Sequence, residues 1–453
     1  MAAATHLLLA PRTLVLSPKL PKCPSDRQSL LTRQSPPHPP QRRAISLRTS
    51  VACCLALDRQ DEDLPLSPQP SAPRSVSGLR VVFTGGGTGG HIYPAIAVAD
   101  ELKNAHPEGQ ILFIGTEAGM ERDAVSSAGY EYAAVPSARL ARPFISPMNL
   151  LLPFYLLRSI FACWKILRQF RPQIVLGTGG YVAAPVCFAA ALAGIKFVIQ
   201  EQNSFPGLTN RSVAPYAEKI FLAFNACVKY FPKEKCVVCG NPVRLALRRY
   251  VSKAVARSHF FPKAASKLGD QKPQVVLVLG GSSGAYALNI AVLNLYYEML
   301  LEHKNRYIIW QTGADSFNEM ESLVKNHRRL LLTPFLHSMD LAYAAADVVV
   351  SRAGAMTCTE ILTTGKPSIL IPSPTVADDH QTKNAYIMAD IAGSKVLPED
   401  ELDSSSLEIA INEVLGDEKL MAEMSEKALT AARPNASADI AQDILSLVKI
   451  SAP

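Results

Sequence analysis

Short apolar runs alternate along this chain with longer segments whose apolar residues recur every three or four positions. The first run, residues 81–83, leads through a glycine-rich turn at 85–90 into apolar positions at helical spacing over 92–102. The same order of strand, glycine-rich turn and helix returns at 173–193 and at 274–295. Because glycines let the backbone approach a ligand and a helix N-terminus attracts negative charge, each turn is a predicted anion-binding loop.

Strands that alternate with helices predict an α/β fold of doubly wound parallel sheets, which bind ligands at the carboxyl ends of their strands. The pattern restarts at Gln274, so we expect two Rossmann-like halves whose facing edges enclose a cleft. Further strands are predicted at residues 111–114, 197–200, 219–223, 236–239, 307–311, 330–333, 347–351 and 368–371. A closing amphipathic helix at 437–450 is expected to pack back across both halves.

The first 77 residues differ in composition from the rest. Residues 1–57 contain eight Lys or Arg and one acid, Asp26, whereas the remainder has 38 basic and 38 acidic residues, so the charge of +7 does not indicate a nucleic-acid partner. Pro11 and Pro18 interrupt the short apolar runs, which favours a chloroplast (plastid) transit peptide, with a mitochondrial presequence as the alternative. An acidic linker rich in Pro and Ser follows. The predicted domains are therefore residues 78–243 and 244–453.

The nine cysteines are spread along the chain without a disulfide framework. Cys236 and Cys239 have no second pair that would complete a zinc site, and their neighbours form a predicted strand. We therefore expect no disulfide, no metal and no cofactor.

Gly85, Gly87 and Gly90 also fit the dinucleotide-binding pattern of dehydrogenases, which requires an acid about 20 residues further on. The first acid after the next strand is Glu117, which comes somewhat late, so a dehydrogenase is disfavoured. His91 directly follows the loop. It either handles a proton or an anion, or it only caps the helix.

Residues 139–158 form an unusually apolar segment. Pro147 and Pro153 make it too broken to span a bilayer, while Arg139, Arg142 and Arg158 flank the apolar residues. This arrangement slightly favours peripheral membrane binding. A loop and helix buried beneath the sheet is the alternative.

Seven motifs occur in order along the chain: GGTGGHIYP (86–94), TGGYVAAP (178–185), EQNSFPGLTN (201–210), GNPVR (240–244), GGSSGAYALN (280–289), RAGAMTCTE (352–360) and DDHQTKNA (378–385). Together they resemble the MurG family of bacterial peptidoglycan glycosyltransferases. The resemblance implies two Rossmann-like domains in the GT-B arrangement. It also implies transfer of N-acetylglucosamine from UDP-GlcNAc to lipid I, a polyprenyl-pyrophosphoryl-muramoyl-pentapeptide, which yields lipid II.

The resemblance also assigns roles to individual residues. Those facing the donor sugar and the acceptor would be Thr88, Gly89, Gly90 and Asn203. Those forming the nucleotide pocket would be Arg244, Ser282, Leu336, Ala355, Met356, Thr357, Glu360 and Gln381. The chemistry agrees, because a carboxylate such as Glu360 suits a ribose diol and the amides of Ala355 and Met356 at a helix N-terminus suit a diphosphate. The alternative for Glu360 is a solvated helix face.

Two departures from the family pattern are visible. His380 stands before Gln381 where bacterial members often have two glutamines, which puts the sugar contact at His380 in question. The segment from Ser204 to Pro206 is expected to reshape the acceptor side.

Glycosyl transfer requires a stabilised leaving diphosphate and a deprotonated hydroxyl nucleophile. No Asp-x-Asp pair accompanies the nucleotide motifs, so the leaving charge is expected to fall on the loop at 280–284, its helix dipole and Arg244. His91 is the predicted base, because an imidazole titrates near the working pH, and Asn203 is the second predicted catalytic residue. An inverting single displacement follows from that assignment.

Two other functions stay open on the sequence alone. Plastid galactolipid synthases, which use UDP-galactose and diacylglycerol, are also distantly MurG-like, although the intact TGGYVAAP and EQN motifs favour the peptidoglycan type. A non-catalytic subunit that binds a nucleotide sugar is the other, although His91, Asn203 and Glu360 all occupy motif positions.

Overall fold

The computed structural model describes residues 78–137, 146–262, 272–376 and 379–448. The predicted transit peptide and linker lie outside these residues, as do Arg139, Arg142 and Asp378. All described residues belong to one compact unit.

The first half of the described chain forms a parallel sheet. Its strands are β1 (Arg80–Thr84), β2 (Gln110–Gly115), β3 (Glu131–Ala134), β4 (Ile174–Gly177), β5 (Lys196–Glu201), β6 (Ile220–Leu222) and β7 (Cys236–Val238), in the order β3-β2-β1-β4-β5-β6-β7. The helices of this half are α1 (Gly89–Ala105), α2 (Met120–Ser127), α3 (Leu152–Phe170), α4 (Ala183–Leu192) and α5 (Leu208–Val213). The central strands are continuous apolar runs because helices cover both faces of the sheet.

The second half repeats this plan. Its strands are β8 (Gln274–Leu279), β9 (Arg306–Gln311), β10 (Leu330–Thr333), β11 (Val348–Ser351), β12 (Ser368–Leu370) and β13 (Lys395–Val396), in the order β10-β9-β8-β11-β12-β13. Its helices are α6 (Lys253–Phe260), α7 (Tyr286–Glu302), α8 (Phe317–Leu323), α9 (Met339–Ala345), α10 (Ala355–Thr364), α11 (His380–Ala392), α12 (Ser404–Gly416) and α13 (Glu418–Ala431). Two doubly wound Rossmann-like domains were predicted, and this prediction is confirmed.

The strand order reverses beside the first strand of each sheet, between β1 and β4 and between β8 and β11. Doubly wound sheets bind ligands at this switch point, beyond the carboxyl ends of the strands. The three predicted glycine-rich turns follow β1, β4 and β8, so all three lie at a switch point.

The last helix, α14 (Ala436–Leu447), belongs to the first domain rather than the second. Ile440 and Ile444 are fully buried in the core that contains Ile92 and Ile96 of α1. The closing helix was expected to pack back across both halves, and its apolar stripe completes the core around β1 of the first domain.

Helix α3 leaves five large apolar residues exposed: Phe154, Tyr155, Leu156, Leu157 and Phe161. Cys163 and Leu167 pack into the first core, whereas Phe154 and Leu157 are 66% and 67% exposed. The helical segment Asn149–Phe170 is long and apolar enough to cross a membrane by length and composition alone. The alternative of a helix buried beneath the sheet is wrong for its outer face.

Candidate active site

The loops after β1 and β4 touch each other closely. A Cβ atom on Gly180 would lie 2.1 Å from the carbonyl oxygen of Gly86, and one on Gly85 would lie 2.0 Å from the Thr178 hydroxyl. Thr178 then donates its hydroxyl to the His91 carbonyl at 2.7 Å. Only glycine permits this contact, which fixes the start of α1 against the end of β4.

A carboxylate of the protein occupies part of the first glycine loop. The Gly87 amide donates to Oε2 of Glu121 at 3.3 Å, while the Thr116 amide donates to Oε1 at 3.2 Å. Burial by itself raises the pKa of Glu121, but the hydrogen bonds from Thr116 and Gly87 together lower it below its ordinary value. Glu121 therefore already takes up the Gly87 amide of this predicted anion-binding loop.

His91 lies in the first turn of α1, half-buried between the two loops. Its Nδ1 is 3.0 Å from Oε1 of Gln202, at the end of β5. A Cβ atom on Gly179 would lie 3.2 Å from the imidazole, so the glycine makes room for the ring. Thr88, Gly89 and Gly90 precede His91, and no side chain caps α1.

A buried carboxylate also organises the loop after β5. Glu201 accepts hydrogen bonds from the amides of Asn203 and Gly207, both at 3.1 Å, and from the Asn210 side chain at 2.9 Å. The Asn203 carbonyl accepts from the Cys227 thiol at 2.9 Å. The structure therefore holds Asn203 on the same sheet edge as His91.

The loop after β8 is held by a neutral amide instead. Gln311 accepts from the Gly281 amide at 3.1 Å and donates to the Gly281 carbonyl at 2.7 Å. A Cβ atom on Gly313 would lie 2.1 Å from the Gly284 nitrogen, so the loops after β8 and β9 also pack backbone to backbone. Ser282 is exposed at the tip of this loop.

Helix α10 begins directly after β11 and presents an open N-terminus. Its N-cap is Gly354, and no side chain caps the first turn, which contains Ala355, Met356 and Thr357. Uncapped amides and the helix dipole favour an anionic ligand at this position.

Glu360 lies one turn further along α10, and its surroundings are buried. The side chain is only 7% exposed, and its Oε2 accepts a hydrogen bond from the Tyr343 hydroxyl at 3.0 Å. Burial raises the pKa of Glu360, although the nearby Arg244 and the Tyr343 hydrogen bond oppose that rise. The alternative of a solvated helix face is therefore wrong.

Arg244 stands where the two domains meet. Its guanidinium lies 4.3 Å from the ring centroid of Tyr93 on α1, and its charge acts on Glu360 of α10. Leu336 is buried in the second core, so only its backbone is available to a ligand. Gln381 is half-buried, and its side-chain oxygen accepts from the Ser373 amide at 2.9 Å.

Two polar contacts join the edges of the two sheets. Asn241 donates to the Gln202 carbonyl at 3.0 Å and to the Thr359 hydroxyl of α10 at 3.1 Å. Ser204 donates its hydroxyl to the Asn384 side chain of α11 at 2.8 Å. The predicted acceptor-side and nucleotide-side residues are thus brought to one junction.

Sequence reasoning assigned no role to four buried polar residues of this site: Glu121, Glu201, Asn241 and Asn384. One signal was available, since residues 200–202 are Gln, Glu and Gln directly after an apolar strand run. Polar side chains at a strand terminus that faces a predicted cleft favour a structural or catalytic role.

Two cavities lie away from this junction. One of about 320 Å³ is lined by Arg257, Phe261 and Tyr307, and another of about 360 Å³ by Arg249, Tyr250 and Lys366. Neither is lined by residues of the two glycine-rich edges.

Models of two protein domains match this chain. The glycosyltransferase family 28 N-terminal domain matches residues 81–222, and the glycosyltransferase family 28 C-terminal domain matches residues 275–444. The chain belongs to glycosyltransferase family 28. The two sheets described above are its two GT-B domains.

Relatives of this family 28 glycosyltransferase are similar over nearly their whole length. One from Salinibacter ruber is 40% identical over 81% of this chain and 96% of its own, and is named UDP-N-acetylglucosamine–N-acetylmuramyl-(pentapeptide) pyrophosphoryl-undecaprenol N-acetylglucosamine transferase. A protein of the same name from Flavobacterium psychrophilum is 40% identical over 82% of this chain and 98% of its own.

Solved structures agree with the family assignment. The crystal structure of Acinetobacter baumannii MurG covers 81% of this chain and 99% of its own, with a TM-score of 0.60 and 29% identity. A complex of S. aureus MnaA with UDP, at 15% identity and a TM-score of 0.57, shares the fold alone. The dehydrogenase and galactolipid synthase alternatives are not favoured by these similarities.

Proposed function

We propose that this glycosyltransferase moves N-acetylglucosamine from UDP-GlcNAc to the muramoyl-pentapeptide of lipid I and so forms lipid II. The observation that carries the proposal is the junction of two edges, with His91 and Asn203 on one and the open α10 N-terminus with Glu360 on the other. Relatives that carry the name of this activity are 40% identical across the same residues.

The donor is assigned to the second domain. The first-turn amides of α10 would stabilise the diphosphate, and the loop at 280–284 lies at the same switch point. Glu360 is assigned to accept hydrogen bonds from the ribose hydroxyls, because Tyr343 bonds only one of its two carboxylate oxygens. The charge of Arg244 acts on Glu360, so Arg244 is the proposed cation of the donor pocket.

The acceptor hydroxyl is assigned to the first domain. His91 would take its proton while the sugar carbon is attacked from the face opposite the departing UDP. The loop that contains Asn203 would hold the sugar, because Glu201 and Cys227 fix its backbone.

The deciding experiment measures UDP release from UDP-GlcNAc with and without a lipid I analogue. We expect release that depends on the analogue and is much slower with UDP-galactose. If UDP is released only when UDP-galactose and diacylglycerol are supplied, the protein is a galactolipid synthase. If the protein binds UDP but releases none from either nucleotide sugar, it is a non-catalytic subunit.

We further propose that α3 attaches the protein peripherally to an anionic membrane. Phe154, Leu157 and Phe161 are exposed on its outer face, with Lys165 and Arg168 further along the helix. Because Cys163 and Leu167 pack into the domain core, the helix is expected to lie along the surface and not cross it. A lipid-linked acceptor would then reach the cleft from the membrane.

Liposome sedimentation tests this attachment. Replacing Phe154 and Leu157 with Ser should weaken binding to anionic vesicles and leave UDP affinity intact. The matched control replaces Ile409 of α12, which is 66% exposed, and should change neither property. Unchanged vesicle binding by the double variant would contradict the attachment.

Residues 1–77 are proposed to direct import into plastids, where the enzyme would act at the inner envelope or another plastid membrane. The support is compositional: eight basic residues and one acid in the first 57, with interrupting prolines. A reporter fused to residues 1–77 should enter chloroplasts. Retention in the cytosol or entry into mitochondria would overturn the proposal.

A further inference from the structure

Three buried amide side chains form a hydrogen-bonded chain that runs from His91 to helix α10. Gln202 contacts His91, Gln200 contacts Gln202, and Asn241 contacts Gln200 at 2.8 Å. Asn241 then donates to the Thr359 hydroxyl of α10 at 3.1 Å. None of the three amides is more than 1% exposed, so water cannot replace a lost partner.

Backbone carbonyls determine which way the Gln202 amide points. Its Nε2 donates to the Thr178 carbonyl at 2.8 Å and to the Gln200 carbonyl at 3.2 Å. A carbonyl oxygen only accepts, so the NH₂ end of Gln202 must face these two groups. Its Oε1 therefore faces the imidazole of His91.

That orientation decides where the neutral imidazole carries its proton. Oε1 of Gln202 can only accept, and it lies 3.0 Å from Nδ1 of His91. We propose that Gln202 is a positioning residue that keeps the proton of neutral His91 on Nδ1, which leaves the lone pair of Nε2 for the acceptor hydroxyl. The inference rests on the proposed role of His91 as the base.

The remaining amides keep Gln202 in place. Gln200 uses its Oε1 to accept from Gln202, so its Nε2 donates to Asn241. Asn241 in turn donates to the Gln202 carbonyl at 3.0 Å and to Thr359, whose hydroxyl donates to the Ala355 carbonyl at 2.9 Å. Asn241 thus connects the imidazole to the first turn of the donor helix without touching either reactant.

The Nδ1–H tautomer of His91 can accept the proton that glycosyl transfer releases. The proton of the acceptor hydroxyl moves to Nε2 of His91 as the oxygen forms its bond to the sugar carbon. The bond from that carbon to the diphosphate oxygen breaks, and its electron pair leaves with UDP. The imidazolium still donates from Nδ1 to Gln202, so this hydrogen bond persists through the transfer.

The test is the ¹⁵N spectrum of the histidine-labelled full chain, in which the His91 signal is the one lost in His91→Gln. We expect the neutral His91 of the wild type to be the Nδ1–H tautomer. Asn241→Leu should give a mixture of tautomers although it does not touch His91. Asn289→Leu is the matched control, because Asn289 is equally buried in the second domain and bonds Trp310 and Thr312.

Kinetics supply the second readout. Gln202→Met should leave UDP affinity near wild type and lower kcat by about 10-fold or more, a part of the roughly 10²-fold that a general base contributes. An Nε2–H tautomer in the wild type would overturn the proposal, and so would an Asn241→Leu spectrum identical to that of Asn289→Leu. Normal turnover of His91→Ala would instead contradict the role of His91 as the base, and it would not affect the conclusion about the tautomer.

Discussion

The two sheets share one strand order over six strands, but the amides of their loops have different partners. At the first edge, Glu121 and Glu201 accept hydrogen bonds from the protein's own loop amides, at Gly87 and at Asn203 and Gly207. At the second edge, the Gly281 amide bonds the neutral Gln311. The first turns of α1 and α10 are alike in having no side-chain cap. Among the described residues, no carboxylate accepts from the loop amides of that second edge.

This difference concerns which loop amides are still available to a ligand. The Gly87 amide already donates to Glu121, whereas the Gly281 amide donates to the neutral Gln311. Amides without a carboxylate partner suit the diphosphate of UDP, which we assign to the second edge, while the proposed base His91 lies on the first. The partners of the loop amides, and not the strand order, therefore distinguish the two edges.

The strongest test of this division is the loss of His91. His91→Ala should lower kcat by roughly 10²-fold or more, the range for a general base, and leave UDP affinity near wild type because the ring is on the first edge. Steady-state rates and calorimetric UDP titration measure the two effects. Normal turnover in this variant would contradict the assignment of the base.

Loss of Glu360 should give the complementary result. Its contact with ribose is expected in the ground and transition states alike, so Glu360→Ala should mainly raise the donor KM. A charged hydrogen bond contributes about 1.5 to 3 kcal/mol, which corresponds to about a 10- to 150-fold change. Normal donor affinity of Glu360→Ala would contradict the assignment of Glu360 to the nucleotide pocket.

Neutralising Glu121 should affect stability and not the donor. The folded pKa of Glu121 lies below its ordinary value of 4.5, so its contribution is present above pH 4.5 and is lost as the pH falls through the folded pKa. Glu121→Gln should therefore lower the free energy of unfolding at pH 7 by about 1.5 to 3 kcal/mol. Denaturant unfolding at pH 7 and below pH 4.5 measures this, with the exposed Glu131→Gln as a control that should change little.

Neutralising Glu360 should give the smallest effect, and with the opposite dependence on pH. Burial raises the folded pKa of Glu360 above 4.5, so its stability contribution is full below pH 4.5 and is lost as the pH rises through the folded pKa. Glu360→Gln should then gain Tm relative to wild type as the pH is raised towards 7. A loss of Tm that grows with pH would show that the carboxylate is stabilising and would weaken the contrast between the edges.

Much of the candidate site follows from sequence alone, because its motifs lie in the turns directly after predicted strands. Thr88 to His91, Asn203 and Ala355 to Thr357 are all at strand ends, where a doubly wound sheet binds its ligands. The local alternation of strand, turn and helix was enough to predict where these residues lie. Glu121, Asn241 and Asn384 were not assigned roles, because their partners are distant in sequence.

The sequence by itself determined the positions of the glycine-rich turns, the two-domain α/β class and most of the strands, since apolar periodicity and glycine turns are local properties. The short edge strands β3 and β13 were not predicted. Only the tertiary structure decided that Glu121 occupies the first loop, that Glu360 is buried against Tyr343, and that α14 completes the first core. Each of these facts depends on a contact between chain segments that periodicity does not relate. Packing sets such contacts, and packing is a property of the whole fold.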